Sequence, residues 1–565
     1  MIHTSLDDYT TNQTKSIGEN GHIQNGWATS CRERIVQLSF QITRTETKKE
    51  LDQIGYKFRE LIKDIIVQKT SLGDAQYHEL LLTLYKLIAQ TRDIVEGKGE
   101  YTIAHIMLIS WYDYFPQSAF FMLDSFVLHN EHPFGSWKDI KYICNIAYVR
   151  NPSHPLITHC VELTNNQLRK DVESLASSLR LSLVAKWIPR EGTKRFGWLF
   201  DRLAENYFSE FLSINNNEKA VRKCKTHYRK LVASINKELD TVQIKQCANT
   251  WAEIDPTKQT SLTMKRQTNA FLNITKTPNV KRSVETDRII CADHFKQHID
   301  RAKKGETEIK GKRVGLNEMV KTAIEYCNSP TTQKYAIDML NLQWQNNALQ
   351  TNVLQKMIPM VDVSGSMDGD PMHAAIGLGI RVSEKSIIGN RVMTFSETPA
   401  WVNLDGATDF VSKVGIIRKA NWGGTTDFYV ALKLILDVIV KNKIPHEDVE
   451  GMTLAIFSDM QIDTASGSRN KQTMFENIDK EYRDAGIKVN GIPYKTPHIL
   501  FWNLRVTQGF PSLATQANTS MMSGFSPALL NTFCENGAHA FRDPWLMLMT
   551  TLSKTRYAFL ENIPF

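Results

Sequence analysis

The sequence predicts a multidomain protein: an N-terminal all-α helical-repeat array followed by a C-terminal α/β domain built on a mostly parallel sheet. Three observations predict it. Apolar residues recur at helical spacing up to about residue 345, whereas beyond about 350 short apolar runs alternate with amphipathic stretches. At 565 residues the chain is also too long for one hydrophobic core. Finally, several of the later apolar runs stop in small or acidic oxygen-bearing side chains, as strands do when they end at a binding crevice.

Residues 1–34 are polar, rich in Asn, Thr, Ser and Gly, and are expected to form a flexible tail. The helical region, 35–349, is clearest in "HELLLTLYKLIAQTRDIV" from His78 and in "HYRKLVASINKELDTVQIKQCANTWAEI" from His227. Breakers such as "EGKGEY", "NEHPFGSW", "NPSHP" and "PREGTKRFG" separate its helices, and residues 298–315 are expected to form a basic loop. In 350–565 the predicted strands are "KMIPMVDVS", "NRVMTF", "GMTLAIFSDM" and "HILFWNL". Helices fall in "PMHAAIGLGIRVSEKSII", "DFYVALKLILDVIVKN", 472–484 and, last, "SPALLNTFCENG".

Composition excludes several classes. The eight cysteines are scattered with no CxxC pair, which reads as reduced intracellular thiols and not as a disulfide framework or zinc site. With no signal peptide at the start, a cytoplasmic protein is expected. The most apolar window, from Ile103, is broken by Asp113, Pro116, Gln117 and Asp124, so it is a buried helix pair and not a membrane span. "GKGE" at 97–100 lacks the spacing of a phosphate-binding loop and is a turn. The net charge of +8 lies wholly in front: 48 Lys and Arg against 39 Asp and Glu through residue 344, then 20 against 21. Such an excess suits a polyanion partner, and equally a solvated lysine-rich surface.

Three strand-to-loop junctions carry hard oxygen ligands. "DVSGSM" holds Asp362, Ser364 and Ser366; "NWGGTTDF" holds Thr425, Thr426 and Asp427; "FSDM" holds Asp459. Mg²⁺ takes about six oxygens and keeps some of its waters, so a few carboxylates and hydroxyls suffice. The bland alternative is that the serines cap the helix beginning near Pro371 and Asp459 serves a turn. A phosphatase of the haloacid-dehalogenase type would need Asp where Ser364 stands, and an aspartic protease would need a contiguous triplet that Val363 interrupts. No nucleophile with a base partner is visible, and no catalytic residue is assigned.

In that order and in an α/β region, these three junctions resemble the metal-ion-dependent adhesion site of von Willebrand factor A domains, which have a Rossmann-like, mostly parallel sheet. The resemblance implies Mg²⁺ or Mn²⁺ on Asp362, Ser364, Ser366, Thr426 (or Thr425) and Asp459, with one position open to an acidic residue of a protein partner. More widely, "RDIVEGKGEY", "SWKDIKYI", "SLVAKWIPRE", "VDVSGSM", "FSDMQID" and "PHILFWNLR" resemble the uncharacterised DUF2828 family. That family is similar in layout to the Ro/TROVE proteins, a helical ring that binds RNA followed by a von Willebrand A domain. The implied function is a non-enzymatic binding protein, with RNA contacts at Lys186, Arg190, Lys194, Arg195, Arg222, Lys223, Lys225, Arg229 and Lys230 and in the 301–313 loop. Trp187, Trp198 and Tyr228 are candidates for base stacking or for core. A protein-interaction scaffold without nucleic acid is the alternative reading, and a divalent-metal hydrolase a distant one.

Overall fold

The computed structural model describes residues 15–17, 23–45, 47–128, 132–177, 179–214, 217–275, 277, 280–329, 334–394, 399–420, 428–460, 471–507, 509–534, 537, 541–563 and 565. The chain packs as two compact units, each assembled from separated stretches. One comprises residues 1–87, 260–282 and 296–561; the other comprises 88–259, 283–295 and 562–565. The change of pattern near residue 350 therefore falls inside the first unit.

The first unit contains a short antiparallel pair, β1 (Lys15–Ile17) and β2 (Ile23–Asn25), and a six-stranded sheet. The sheet strands are β3 (Met357–Val361), β4 (Arg391–Thr394), β5 (Trp401–Asn403), β6 (Thr453–Ser458), β7 (His498–Asn503) and β8 (Thr519–Ser523), in the order β5-β4-β3-β6-β7-β8. All neighbours are parallel except β4 and β5. β3, β6, β7 and β8 are buried along their whole length, the pattern of strands covered on both faces. From β3 the chain runs outward to β4 and β5, then returns to lay β6 on the other side of β3. The order reverses between β3 and β6, and it is at such a reversal, outside the strands' carboxyl ends, that sheets of this kind hold their binding crevice.

The helices that face this sheet come from both halves of the sequence. The helix Asp370–Lys385 follows β3, and its "GLG" lets it approach two neighbours closely. A Cβ on Gly379 would stand 2.3 Å from Val361 Cγ2, and one on Gly377 would stand 2.8 Å from Leu316 Cβ. Leu316 belongs to the helix Leu316–Cys327, which is thus part of the α/β core. Trp344, on the helix Lys334–Ala348, stacks on Phe410 with centroids 3.9 Å apart. The guanidinium of fully buried Arg381 lies 4.0 Å from the Trp344 ring centre and donates to the Trp344 carbonyl. Val314, Leu316, Met319, Val320, Ala323, Leu340 and Trp344 therefore share one core with the strands.

Some local features differ from the sequence pattern. Residues 15–17 and 23–25, expected in a loose tail, pair as β1 and β2, and Asn25 exchanges backbone hydrogen bonds with Phe510. The helix Cys31–Gln41 starts before the expected boundary at residue 35. The stretch expected as a final helix is a 3-10 helix, Pro527–Phe533, and an α-helix, Pro544–Leu552, follows it. β8 was not foreseen, because "TSMMS" has little apolar signal. It can be buried because its hydroxyls are bonded: Ser523 Oγ donates to the carbonyls of Ser39 and Ile42, and Ser520 Oγ pairs with His498 Nε2.

The second unit is helical, with Tyr101–Tyr112, Pro116–Val127, Lys138–Arg150, Pro155–Ala176, Gly197–Tyr207 and Glu218–Glu238 as its main helices. The first two are the expected buried pair. No helix among the described residues is long and apolar enough to cross a membrane. A buried ion network ties this unit together. Asp139 accepts from Arg92 Nε at 2.9 Å and Nη2 at 2.7 Å, from the Ser136 N–H at 2.7 Å, and pairs with His105 Nε2 at 2.9 Å. Burial would raise the Asp139 pKa, but the Arg92 charge and the His105 bond hold it well below the ordinary carboxylate range. Burial pushes the His105 pKa down, so the ring is neutral at pH 7.

Two expectations follow from these contacts. Removing one partner of a buried pair strands the other, so Asp139→Ala should destabilise the protein by about 3–5 kcal/mol, and an apolar double replacement with Arg92→Met should cost clearly less. Denaturant unfolding of the two variants checks this. In the first unit both Glu33 carboxylate oxygens accept from the Ala514 N–H, and burial pushes the Glu33 pKa up to about 7. The native state then holds a proton that the unfolded chain releases near pH 4.5. That stabilisation is complete below about pH 4.5 and is lost as the pH rises to about 7. Glu33→Gln should remove this slope and raise the melting temperature at pH 7.5, as melting curves from pH 4.5 to 7.5 would show.

Candidate functional site

The crevice between β3 and β6 is set by register. Val361 pairs with Phe457, so the next residues, Asp362 and Ser458, face each other at the strand ends. Asp362 is buried, and each of its oxygens has a donor. Oδ1 accepts the Ser364 N–H at 2.8 Å and Oδ2 accepts the Ser458 hydroxyl at 2.7 Å. Ser458 Oγ in turn accepts from the Met460 N–H at 3.0 Å. That bond accompanies the left-handed backbone of Met460, φ 62°, where the chain turns out of the sheet behind Asp459. Ser364 is half-buried and Ser366 exposed, with their hydroxyls 3.0 Å apart. Asp459 is buried beside Asp362. Burial pushes the Asp362 pKa up to about 6, against the two donated hydrogen bonds and with the help of the Asp459 charge.

The structure thus brings together four of the expected ligands: Asp362, Ser364, Ser366 and Asp459. Thr425 and Thr426 lie outside the described residues. Among the described residues no three His, Cys, Asp or Glu gather as a ligand set, so a cation here would rest on two carboxylates and two hydroxyls. That donor set is all hard oxygen, which suits Mg²⁺ or Mn²⁺ and not a thiolate- or imidazole-seeking metal.

Sequence reasoning missed Arg505, two residues beyond β7. Its Nη1 donates to the Ser366 carbonyl at 2.7 Å and lies 4.0 Å from Asp459 Oδ2. One exposed guanidinium thereby spans the loops after β3 and β6. Its only sequence signal is position, a cation at the end of a predicted strand in "FWNLR".

Of the basic residues expected to contact RNA, those from Lys186 to Lys230 are in the second unit, whereas the 301–313 stretch is in the first. On the helix Glu218–Glu238 most are engaged locally. Lys225 pairs with Asp201 at 2.8 Å, Arg229 with Glu191 at 2.8 Å and Arg222 with Glu218 at 3.0 Å, while Lys223 lies 3.9 Å from the centre of the Phe211 ring. Lys230 is exposed beside them, as are Arg190, Lys194 and Arg195; Lys186 is half-buried and its pKa is lowered by burial. Tyr228 is core, its hydroxyl bonded to Asn165 Oδ1 at 3.0 Å, and Trp198 stacks on Tyr148 at 4.0 Å. Of the expected 301–313 loop, residues 301–303 finish the helix Thr286–Lys303.

Two family models match the chain. Residues 356–551, which include every crevice residue named above, match the domain of unknown function DUF7788. Residues 148–351, which include the expected RNA contacts from Lys186 to Lys230, match the domain of unknown function DUF2828. An uncharacterized protein of Acanthamoeba polyphaga mimivirus is 28% identical over 487 residues, spanning 83% of this chain and 78% of that protein. Over residues 148–351 the chain is thus similar to the DUF2828 family, in agreement with the resemblance of its sequence motifs.

Proposed function

We propose that this is a non-enzymatic binding protein whose α/β unit is a von Willebrand A-like domain holding Mg²⁺ or Mn²⁺ at the crevice between β3 and β6. One observation carries the reading: two carboxylates, Asp362 and Asp459, are buried side by side where the strand order reverses. Adjacent buried carboxylates repel, and burial penalises their ionised forms, so the pair favours a cation. The hydroxyls of Ser364 and Ser366 extend the same oxygen surface outward. A bound ion supplies charge there and a coordination position that a carboxylate of a protein partner can complete.

Arg505 enters this reading as a competitor. Its guanidinium already lies within 4.0 Å of Asp459 on an exposed side chain, so a metal ion displaces part of its interaction.

Calorimetric titration of the full-length protein with MgCl2 or MnCl2 tests the proposal. Binding of one ion is expected, lost in Asp362→Ala and in Asp362→Asn; the second variant keeps the shape of the side chain and one acceptor oxygen while removing the charge. Arg505→Ala, which removes the competing cation, should bind the ion at least as tightly as the parent. Undiminished affinity in a folded Asp362→Asn protein, or no binding by the parent, removes the assignment.

A further inference from the structure

On the helical unit, side chains distant in sequence converge into a mixed cationic and aromatic surface. Lys138 and Lys141 lie on the helix Lys138–Arg150, Trp187 ends a short helical turn, and Arg195 and Phe196 precede the helix Gly197–Tyr207. Tyr142 is at the centre. Its ring has the Lys138 ammonium at 5.4 Å, the Lys141 ammonium at 5.7 Å and the Arg195 guanidinium at 5.4 Å. Lys141 also stands 4.9 Å from Trp187 and 5.6 Å from Phe196. The rings are half-buried, so each keeps part of a face toward solvent, and Arg195 is exposed.

Three cations held this close repel one another. Burial and the neighbouring Lys138 and Arg195 charges push the Lys141 pKa below the ordinary range for lysine. Ring faces offset some of that repulsion through their quadrupoles, but by about 1 kcal/mol per contact where water still enters. An anion would offset far more. The rings that interleave the cations offer an approaching ligand planar faces as well as charge. The base of this surface is also fixed, because Asp139, next to Lys138, is locked by Arg92 and His105. Tyr101, four residues before His105 on the same helix, packs on Tyr142 with centroids 5.6 Å apart.

We propose that this cluster binds a phosphorylated planar ring: a nucleotide, free or within a single strand, with its phosphate among Lys138, Lys141 and Arg195 and its base on Trp187 or Tyr142. A carboxylate-bearing peptide would use the cations but leave the rings without a partner. On the helix Glu218–Glu238, Lys225, Arg229 and Arg222 each pair with an acid, so a phosphate there would compete with a carboxylate. The inference is independent of the cation site.

The test is fluorescence anisotropy of an end-labelled single-stranded oligoadenylate decamer with the full-length protein, with AMP and inorganic phosphate as competitors. Binding at low salt is expected to weaken steeply as salt rises. Lys141→Glu and Trp187→Leu should each weaken it about tenfold or more, while Arg229→Gln should change it by less than about threefold. Circular dichroism checks that each variant is folded; Lys141→Glu, at a half-exposed position, keeps the test valid if Trp187→Leu is not. Displacement by AMP identifies a free nucleotide as sufficient, and resistance to AMP identifies the strand as the ligand; either supports the site. No binding by the parent, a folded Trp187→Leu protein that binds normally, or inorganic phosphate competing as well as AMP would overturn it.

Discussion

The pairing of β3 with β6 is the constraint on which the α/β unit depends. It sets Asp362 opposite Ser458 and places Asp459 beside them, all three inside the protein. A buried carboxylate is costly unless its oxygens are bonded, and Asp362 is supplied by one hydroxyl and one backbone N–H. Those two donors do not neutralise its charge. The result is a pair of buried carboxylates at the strand ends, with the Arg505 guanidinium, just beyond β7, 4.0 Å from Asp459.

Register alone would not hold this crevice, because the helix that leaves β3 must also lie flat against the sheet. Gly379 and Gly377 make that possible by removing side chains that would collide with Val361 and with Leu316. Their effect extends to the helix Leu316–Cys327, which sequence pattern assigns to a separate helical domain. It packs instead into the core of the sheet. The stacked pair Trp344 and Phe410, with Arg381 on the Trp344 ring, joins a further helix to the same core.

Much of this was legible in the sequence, for identifiable reasons. β3, β6 and β7 are continuous apolar runs, and the helix Asp370–Lys385 begins at the Gly369–Asp370–Pro371 breaker as a run too long for a strand, so their types could be read directly. Asp362, Ser364, Ser366 and Asp459 stood out because small oxygen-bearing residues at strand ends are chemically conspicuous. Arg505 did not, since a single arginine after a strand is ordinary and its meaning lies in the two loops it touches. β8 was illegible because its burial rests on hydroxyl hydrogen bonds to Ser39, Ile42 and His498. The division into units was equally hidden, since it depends on which helix faces pack together and not on where composition changes.

The basic excess of the front part shows the same limit in electrostatic form. A count of lysines and arginines gave equal weight to the helix Glu218–Glu238 and to the segment around Arg195. In the folded unit they differ: on that helix three cations are answered by Asp201, Glu191 and Glu218, whereas around Tyr142 three cations face one another across aromatic rings. A polyanion gains little from the first surface, because each phosphate contact there must compete with a carboxylate already in place. At the second, where the Lys138 and Arg195 charges already bear on Lys141, the proposed phosphate would ease that repulsion, beside the fixed Arg92–Asp139–His105 network.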